Sequence, residues 1–209
     1  MFTGIIEEIG SVKKITKKKD SILLEINYKV LKNLNIGSSI SINGVCLTVI
    51  EFNKTSFMVE GTRETLKISN LSNLKIGDKV NLEGPVLING RFDGHLVMGH
   101  VDGIGVIRKV KKVKEGGLLT IKISEKLSKY VVNKGSMTVD GVSLTVSEIS
   151  GDSFTVNIIP YTFIQTNIQD RRAGDKVNIE VDIIGKYIEK ILSLKKGITK
   201  EFLDEKGYI

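Results

Sequence analysis

Residues 39–83 match residues 136–180 at a constant offset of 97 without a gap, and about 18 of those 45 positions are identical. Chance does not give that density at a fixed offset, so the chain carries an internal duplication. The anchors keep their order in both copies: NGVCLTV and DGVSLTV, then SFMV and SFTV, then GDKVNLE and GDKVNIE. Upstream the echo continues at offset 95, where Gly4, Ile9 and Gly10 match Gly99, Ile104 and Gly105. A unit of about 90 residues is too long for a solenoid repeat and long enough to enclose a core of its own. Two homologous domains are therefore expected, at 1–86 and 95–184, divided near GPVLINGRFDG with its Pro85 and three glycines.

Within each copy the chain runs in short stretches rich in Ile, Val, Thr and Phe, with turn residues every eight to twelve positions. That spacing predicts an all-β fold, each half an antiparallel sheet closed into a small barrel. KVLKNL and EKLSKYV are each expected to make a short helical turn across a barrel end. The last stretch, 185–209, changes character. In IIGKYIEKILSLKKGITKEFL, residues Ile184, Ile188, Ile191 and Leu194 or Lys195 recur near helical spacing. A helix beyond two closed barrels either packs on a barrel or meets copies of itself, and self-association is the favoured reading.

Composition narrows the class. At 41% hydrophobic and 26% charged residues, the chain has the balance of a water-soluble globular protein. Its start, MFTGIIEEIG, is acidic where a signal peptide needs a basic region, and no apolar run reaches membrane-span length, so a cytoplasmic protein without a membrane partner is expected. One cysteine, Cys46, excludes an intrachain disulfide framework. The net charge of +7 comes from scattered lysines, as in KKITKKK and RKVKKVK, without the aromatic or helix-turn-helix patterns of nucleic-acid binders. These lysines read as solvated edges, and nucleic acid is not expected as a partner.

In VCLTV, a strand puts Val45, Leu47 and Val49 on one face and Cys46 and Thr48 on the other. The copy opposes Val142, Leu144 and Val146 to Ser143 and Thr145. A free cysteine is most often a small buried hydrophobe. Here alternation sets it with threonine on a polar face, which in a closed barrel points outward. Two related polar strips predict two related half-sites lying outside the barrels. The only histidines, His95 and His100 in GHLVMGHVDG, fall on opposite faces of a regular strand, so no metal site is expected. Each is left between two readings, a turn-satisfying imidazole or a proton carrier near neutral pH.

Taken together and in order, MFTGI, the NGVCLTV and DGVSLTV pair, the ETL that follows SFMV, GHLVMGHVDG and the terminal helix resemble riboflavin synthase of the alpha-chain type over essentially the whole chain. The resemblance implies two six-stranded Greek-key barrels followed by a C-terminal α-helix that gathers three chains into a homotrimer. It implies a transferase in which two molecules of 6,7-dimethyl-8-ribityllumazine dismutate. One gives a four-carbon unit to the other, forming riboflavin and 5-amino-6-ribitylamino-uracil, with no cofactor or metal. An association with lumazine synthase belongs to the same set of expectations. A non-catalytic lumazine- or flavin-binding antenna protein is the rival reading.

Carried over by motif, the resemblance assigns one pocket to Gly4, Ile5 and Ile6, Ser39, Cys46, Leu47 and Thr48, and Glu60, Gly61, Thr62, Arg63, Glu64 and Thr65. It adds Gly99, His100 and Val101 on the loop into the second barrel. The other pocket takes Lys134, Ser143, Leu144 and Thr145, and Asn157, Ile158, Ile159, Pro160, Tyr161 and Thr162, with Asp182 near the helix start. His100 is the candidate for proton transfer and Cys46, or a water beside it, for a transient nucleophile; Ser143 and Asp182 serve the opposite substrate. Phe2 is expected over the ring. One departure is visible: where the family usually has Pro-Glu-Thr, this chain has Pro160, Tyr161 and Thr162.

Overall fold

The alternating stretches of the first copy become six strands: β1 (Glu8–Lys17), β2 (Ser21–Asn27), β3 (Ser39–Ile42), β4 (Val45–Phe52), β5 (Ser56–Thr62) and β6 (Lys79–Glu83). The second copy gives β7 (Gly103–Val113), β8 (Gly116–Lys122), β9 (Ser136–Val139), β10 (Val142–Ser150), β11 (Ser153–Ile158) and β12 (Lys176–Val181). These come from a computed structural model, which describes residues 1–32, 34–113, 116–194 and 200–207. Each set closes into a barrel, in the order β1-β2-β5-β4-β3-β6 and its counterpart β7-β8-β11-β10-β9-β12. Closure rests on antiparallel pairing of Gly10 with Val80 and of Gly105 with Val177. Even the irregularities repeat. Register shifts between Val12 and Lys14 and between Val49 and Glu51 recur between Ile107 and Lys109 and between Val146 and Glu148. Such bulges sharpen the bend that a six-stranded barrel needs.

Period-two burial fills both interiors. Ile22, Leu24, Ile26, Val45, Leu47 and Val49 point into one barrel, and Leu119, Ile121, Val142, Leu144 and Val146 into the other, with Phe57 and Phe154 as the largest fillers. Enclosing each such side chain contributes roughly 1.5–3 kcal/mol.

The hairpins β3–β4 and β9–β10 turn through Asn43-Gly44 and Asp140-Gly141, all four residues at positive φ. That is the two-residue turn whose twist matches the flanking strands. The tips also meet each other: a Cβ on Gly44 would lie 2.7 Å from the Gly141 nitrogen, and one on Gly141 equally close to the Gly44 nitrogen. Around this contact a buried amide network repeats by an approximate two-fold. Asn81 Nδ2 donates to the Asp140 carbonyl and Asn178 Nδ2 to the Asn43 carbonyl, both at 2.8 Å. The Asn167 amide donates to Asn81 Oδ1, and the Asn70 amide to Asn178 Oδ1.

Short helices cap the barrels: α1 (Arg63–Ile68), α2 (Glu125–Ser128) and α3 (Pro160–Gln165). EKLSKYV forms α2 as expected, but the described residues of KVLKNL make no helical turn. There the Glu8 carboxylate accepts from the amides of Lys29, Val30 and Leu31 and ties this segment to β1.

The helix α4 (Ile183–Leu194) starts at Asp182, whose Oδ1 accepts from the Ile184 amide, and α5 (Lys200–Glu205) follows. Lys195 and the chain as far as residue 199 lie outside the described residues. Ion pairs Lys186–Asp102 and Lys129–Glu189 and a hydrogen bond from Tyr130 to Glu189 fasten one side of α4 to the second barrel. The other side exposes Ile184, Tyr187, Ile188, Ile191 and Leu192, each more than half accessible. Among the described residues no helix is long and apolar enough to cross a membrane.

Candidate functional site

The two polar strips fall where alternation puts them. On β4 the side chain of Cys46 is half-buried and Thr48 exposed; on β10 Ser143 is half-buried and Thr145 exposed. Cross-strand pairing sets Ser39 opposite Thr48 and Ser136 opposite Thr145. Beside each strip runs a segment from outside its barrel. The Cys46 amide donates to the Gly99 carbonyl at 2.9 Å, and the Ser143 amide to the Gly4 carbonyl at 2.8 Å.

This exchange corrects the expected grouping for Gly4, Ile5 and Ile6, and leaves Gly99, His100 and Val101 beside the strip to which they were assigned. Gly4, Ile5 and Ile6 sit with Ser143 of the second barrel, and Ile6 packs on that barrel's core. Gly99, His100 and Val101 sit with Cys46 of the first, whose core Val101 joins. The physical reason is a two-way bridge at the centre of the molecule. Phe2 and Val97 exchange amide–carbonyl hydrogen bonds of 2.7 and 3.1 Å, and the chain then leaves that bridge toward the opposite barrel on each side. Phe2 is fully enclosed there, with its ring edge under Gly99, so it supports the strip from beneath instead of presenting a face to a ligand.

Around Ser143 the structure adds a residue that spacing left undecided. His95 lies between two hydroxyls, with Nδ1 2.7 Å from Ser143 Oγ and Nε2 3.1 Å from Thr138 Oγ1, and its backbone amide donates to the Thr3 carbonyl. Burial pushes its pKa down, and the Asp182 carboxylate opposes that shift. A neutral imidazole has one donor and one acceptor nitrogen, so the ring ties the two hydroxyls into a directed chain. His100, by contrast, is exposed beside the Cys46 strip. The echo between the two copies is anchored from Gly4 and Gly99 onward and does not take in His95, so the duplication did not single it out.

The remaining candidates divide by exposure. Leu47, Leu144, Ile158, Gly61, Gly99 and Val101 are buried and can offer only backbone. Glu60, Thr62, Arg63, Glu64 and Thr65 line the end of β5 and the first turn of α1, where the Thr62 hydroxyl caps the Thr65 amide. The matching stretch of the second half is Asn157, Ile159, Pro160, Tyr161 and Thr162, with Pro160 opening α3 and Tyr161 70% exposed. Where Glu64 puts a carboxylate at the start of α1, Tyr161 puts a phenol at the start of α3, so only the first half offers an acid there. Lys134 is exposed in the turn before β9. Among the described residues no His, Cys, Asp and Glu cluster could hold a metal ion.

Comparison with known proteins bears on what such a pair of strips serves. The family model described as "Lumazine binding domain" matches twice, at residues 3–84 and 98–182. The chain is 43% identical to the riboflavin synthase of Actinobacillus pleuropneumoniae and 42% to that of Bacillus subtilis (strain 168), with all of each chain covered. The chain belongs to the riboflavin synthase family. The yeast relative from Schizosaccharomyces pombe is 39% identical over 92% of this chain and 94% of its own. Among solved structures, LumP complexed with 6,7-dimethyl-8-(1'-D-ribityl) lumazine superposes with a TM-score of 0.80 at 25% identity, covering 87% of this chain and 99% of that one. LumP complexed with riboflavin gives 0.81 at 26% identity over the same shares. Membership in the riboflavin synthase family therefore rests on sequence over the full length, and the duplicated-barrel fold on both comparisons.

Proposed function

We propose that this protein is a transferase that converts two molecules of 6,7-dimethyl-8-ribityllumazine into riboflavin and 5-amino-6-ribitylamino-uracil, the closing step of riboflavin formation. The two products together contain the atoms of two substrates, so the reaction balances without an added reactant. The observation that carries this reading is the pair of strips. One backbone pattern occurs twice, walled by equivalent segments, and differs in chemistry at Cys46 and Ser143. A reaction that joins two copies of one molecule in unlike roles calls for that combination.

The substrate's 7-methyl group loses a proton readily for a carbon acid, since its anion delocalises into the ring, so a modest base serves. Holding two flat rings in register is the larger demand, and pre-orientation is worth up to about 7–11 kcal/mol in favourable cases. We assign His100 to proton transfer and Cys46 to transient addition on one side; on the other, the His95-linked Ser143 hydroxyl and Asp182 serve the second ring. Backbone amides at Thr48 and Thr145 and the Lys134 ammonium are suited to the pyrimidine edge.

The working unit in this reading is a cytoplasmic homotrimer, with barrels at 1–86 and 95–184 and self-association through 185–209. The exposed apolar side of α4 supports it, as does the groove of about 510 Å³ beside α4 lined by Tyr130, Val132, Ile188 and Leu192. Docking with lumazine synthase would bring the substrate's source next to its consumer. The antenna reading is favoured by the LumP superposition, but LumP is 26% identical where riboflavin synthases reach 43%. Incubating purified protein with the lumazine decides: riboflavin is expected, one for every two lumazines consumed, and bound chromophore without product overturns the enzyme.

A further inference from the structure

Two buried carboxylates are absorbed by neither the barrels nor the strips. Glu83 ends β6 and Glu180 is its repeat partner on β12, 4% and 3% exposed. Neither faces its own barrel's interior. Glu83 Oε1 accepts from the Thr3 amide at 2.7 Å and the Thr3 hydroxyl at 2.9 Å, and Oε2 accepts from the Gly4 amide at 3.0 Å. Glu180 repeats the grip: Oε1 takes the Met98 amide at 2.8 Å and Oε2 the Gly99 amide at 3.0 Å.

The amides so held belong to the crossing segments. Gly4, gripped from the first barrel, gives its carbonyl to Ser143 of the second, and the Thr3 carbonyl takes the His95 amide. Gly99, gripped from the second barrel, gives its carbonyl to Cys46 of the first and is followed by His100. A carboxylate suits this task and an amide does not. Both of its oxygens accept, whereas a glutamine would turn an NH₂ group toward one of two adjacent N–H donors. We propose that Glu83 and Glu180 are positioning residues wired crosswise, each rooted in one barrel and setting the wall of the other barrel's half-site. This rests on reading the two strips as half-sites, and it makes them mutually dependent: neither barrel alone carries the support for its own strip.

The chain contains its own reporters. Its two histidines fall one on each side, His95 with Ser143 and His100 with Cys46, and Cys46 is the only thiol. Full-length protein with isotope-labelled histidine rings is compared with Glu83→Gln and Glu180→Gln by NMR, by the rate of Cys46 alkylation with iodoacetamide, and by turnover. Glu83→Gln is expected to shift the His95 ring signals and leave those of His100 and the Cys46 alkylation rate in place. Glu180→Gln is expected to shift His100 and change the alkylation rate about threefold or more, leaving His95 in place. Turnover falls about tenfold or more in both, chiefly in kcat, because a wall displaced by a fraction of an ångström misaligns bound rings without removing their contacts.

Shifts confined to the reporter of the mutated residue's own barrel, equal shifts in both reporters, or none overturn the proposal. Ring signals and alkylation need no turnover, so an inactive parent protein would sink the proposed activity without touching this test. Should Glu83→Gln lose its fold, Thr3→Val removes one of the same hydrogen bonds and is expected to move His95 alone; movement of His100 instead overturns the wiring.

Discussion

Lys134 sits in the left-handed region at φ 63°, and its repeat partner is Gly37 at φ 87°. The amides of both residues close equivalent turns, onto the Val146 and Val49 carbonyls. A side chain there costs about 1 kcal/mol that glycine does not, so the lysine is held against backbone preference. Lys134→Gly is therefore expected to leave the urea midpoint equal or higher while weakening lumazine binding, as fluorescence titration will show. At the strips, Cys46→Ser and His100→Gln are each expected to lower turnover more than twofold in a riboflavin-formation assay; smaller effects in both remove them from the chemistry.

Glu83 supplies a third test at this scale. Burial raises its pKa from 4.5 to about 7, against the Thr3 and Gly4 donors and with the Glu7 carboxylate adding to the rise. A folded-state pKa above the unfolded one means the folded chain binds the extra proton. The resulting stability is whole below about 4.5 and is lost as pH rises through about 7, a change of roughly 3 kcal/mol at most. Urea midpoints should fall between pH 5 and pH 8, and Glu83→Gln should flatten that fall.

At the scale of elements, α4 combines a fastened side with a bare one. Glu189 and Lys186 bind it to the second barrel through Lys129, Tyr130 and Asp102, while Ile184, Ile188 and Ile191 meet solvent. An apolar stripe of this kind on one helix is covered when copies associate. If the proposed homotrimer forms through α4, Ile188→Glu should dissociate it in sedimentation, with circular dichroism of the barrels unchanged and turnover lost; an unaltered sedimentation coefficient would remove α4 from the interface.

Strands and helices also differ in how plainly they were written. The β4 and β10 alternation named the polar strips outright. KVLKNL carried a helical-looking pattern, yet its described residues make no helical turn, and its first amides are held by the Glu8 carboxylate from a strand about 20 residues earlier. Glu83 and Glu180 left a usable sign: in KVNLE and KVNIE both polar positions recur, and Asn81, Glu83, Asn178 and Glu180 are all buried. Polar residues kept on the outward face of a barrel strand in both copies mark a face that something else covers.

On the scale of the whole molecule, the barrels are joined by a polar centre whose symmetry breaks at one point. Asp140 stands where the first half has Asn43, and it pairs with Arg171, whose repeat partner is Leu74. Burial raises the Asp140 pKa, and Arg171 leads the groups that oppose the rise. Arg171→Met would strand a carboxylate in the interface, at a cost of about 3–5 kcal/mol for a broken buried pair. Chemical denaturation should show that loss in both barrels together; a loss confined to the second barrel would mean that they unfold independently.

The sequence by itself determined the duplication, the closed antiparallel barrels and the outward aim of Cys46 and Ser143. Each follows from periodicity or local backbone preference, which act over a few residues and need no partner. Only the tertiary structure decided which segment walls which strip, that His95 joins Ser143, that Phe2 is enclosed, and that Glu83 and Glu180 reach across. Those contacts join residues about 50 to 140 positions apart through a few hydrogen bonds at the meeting of two barrels, and no local pattern records which of two equivalent neighbours a crossing segment will choose.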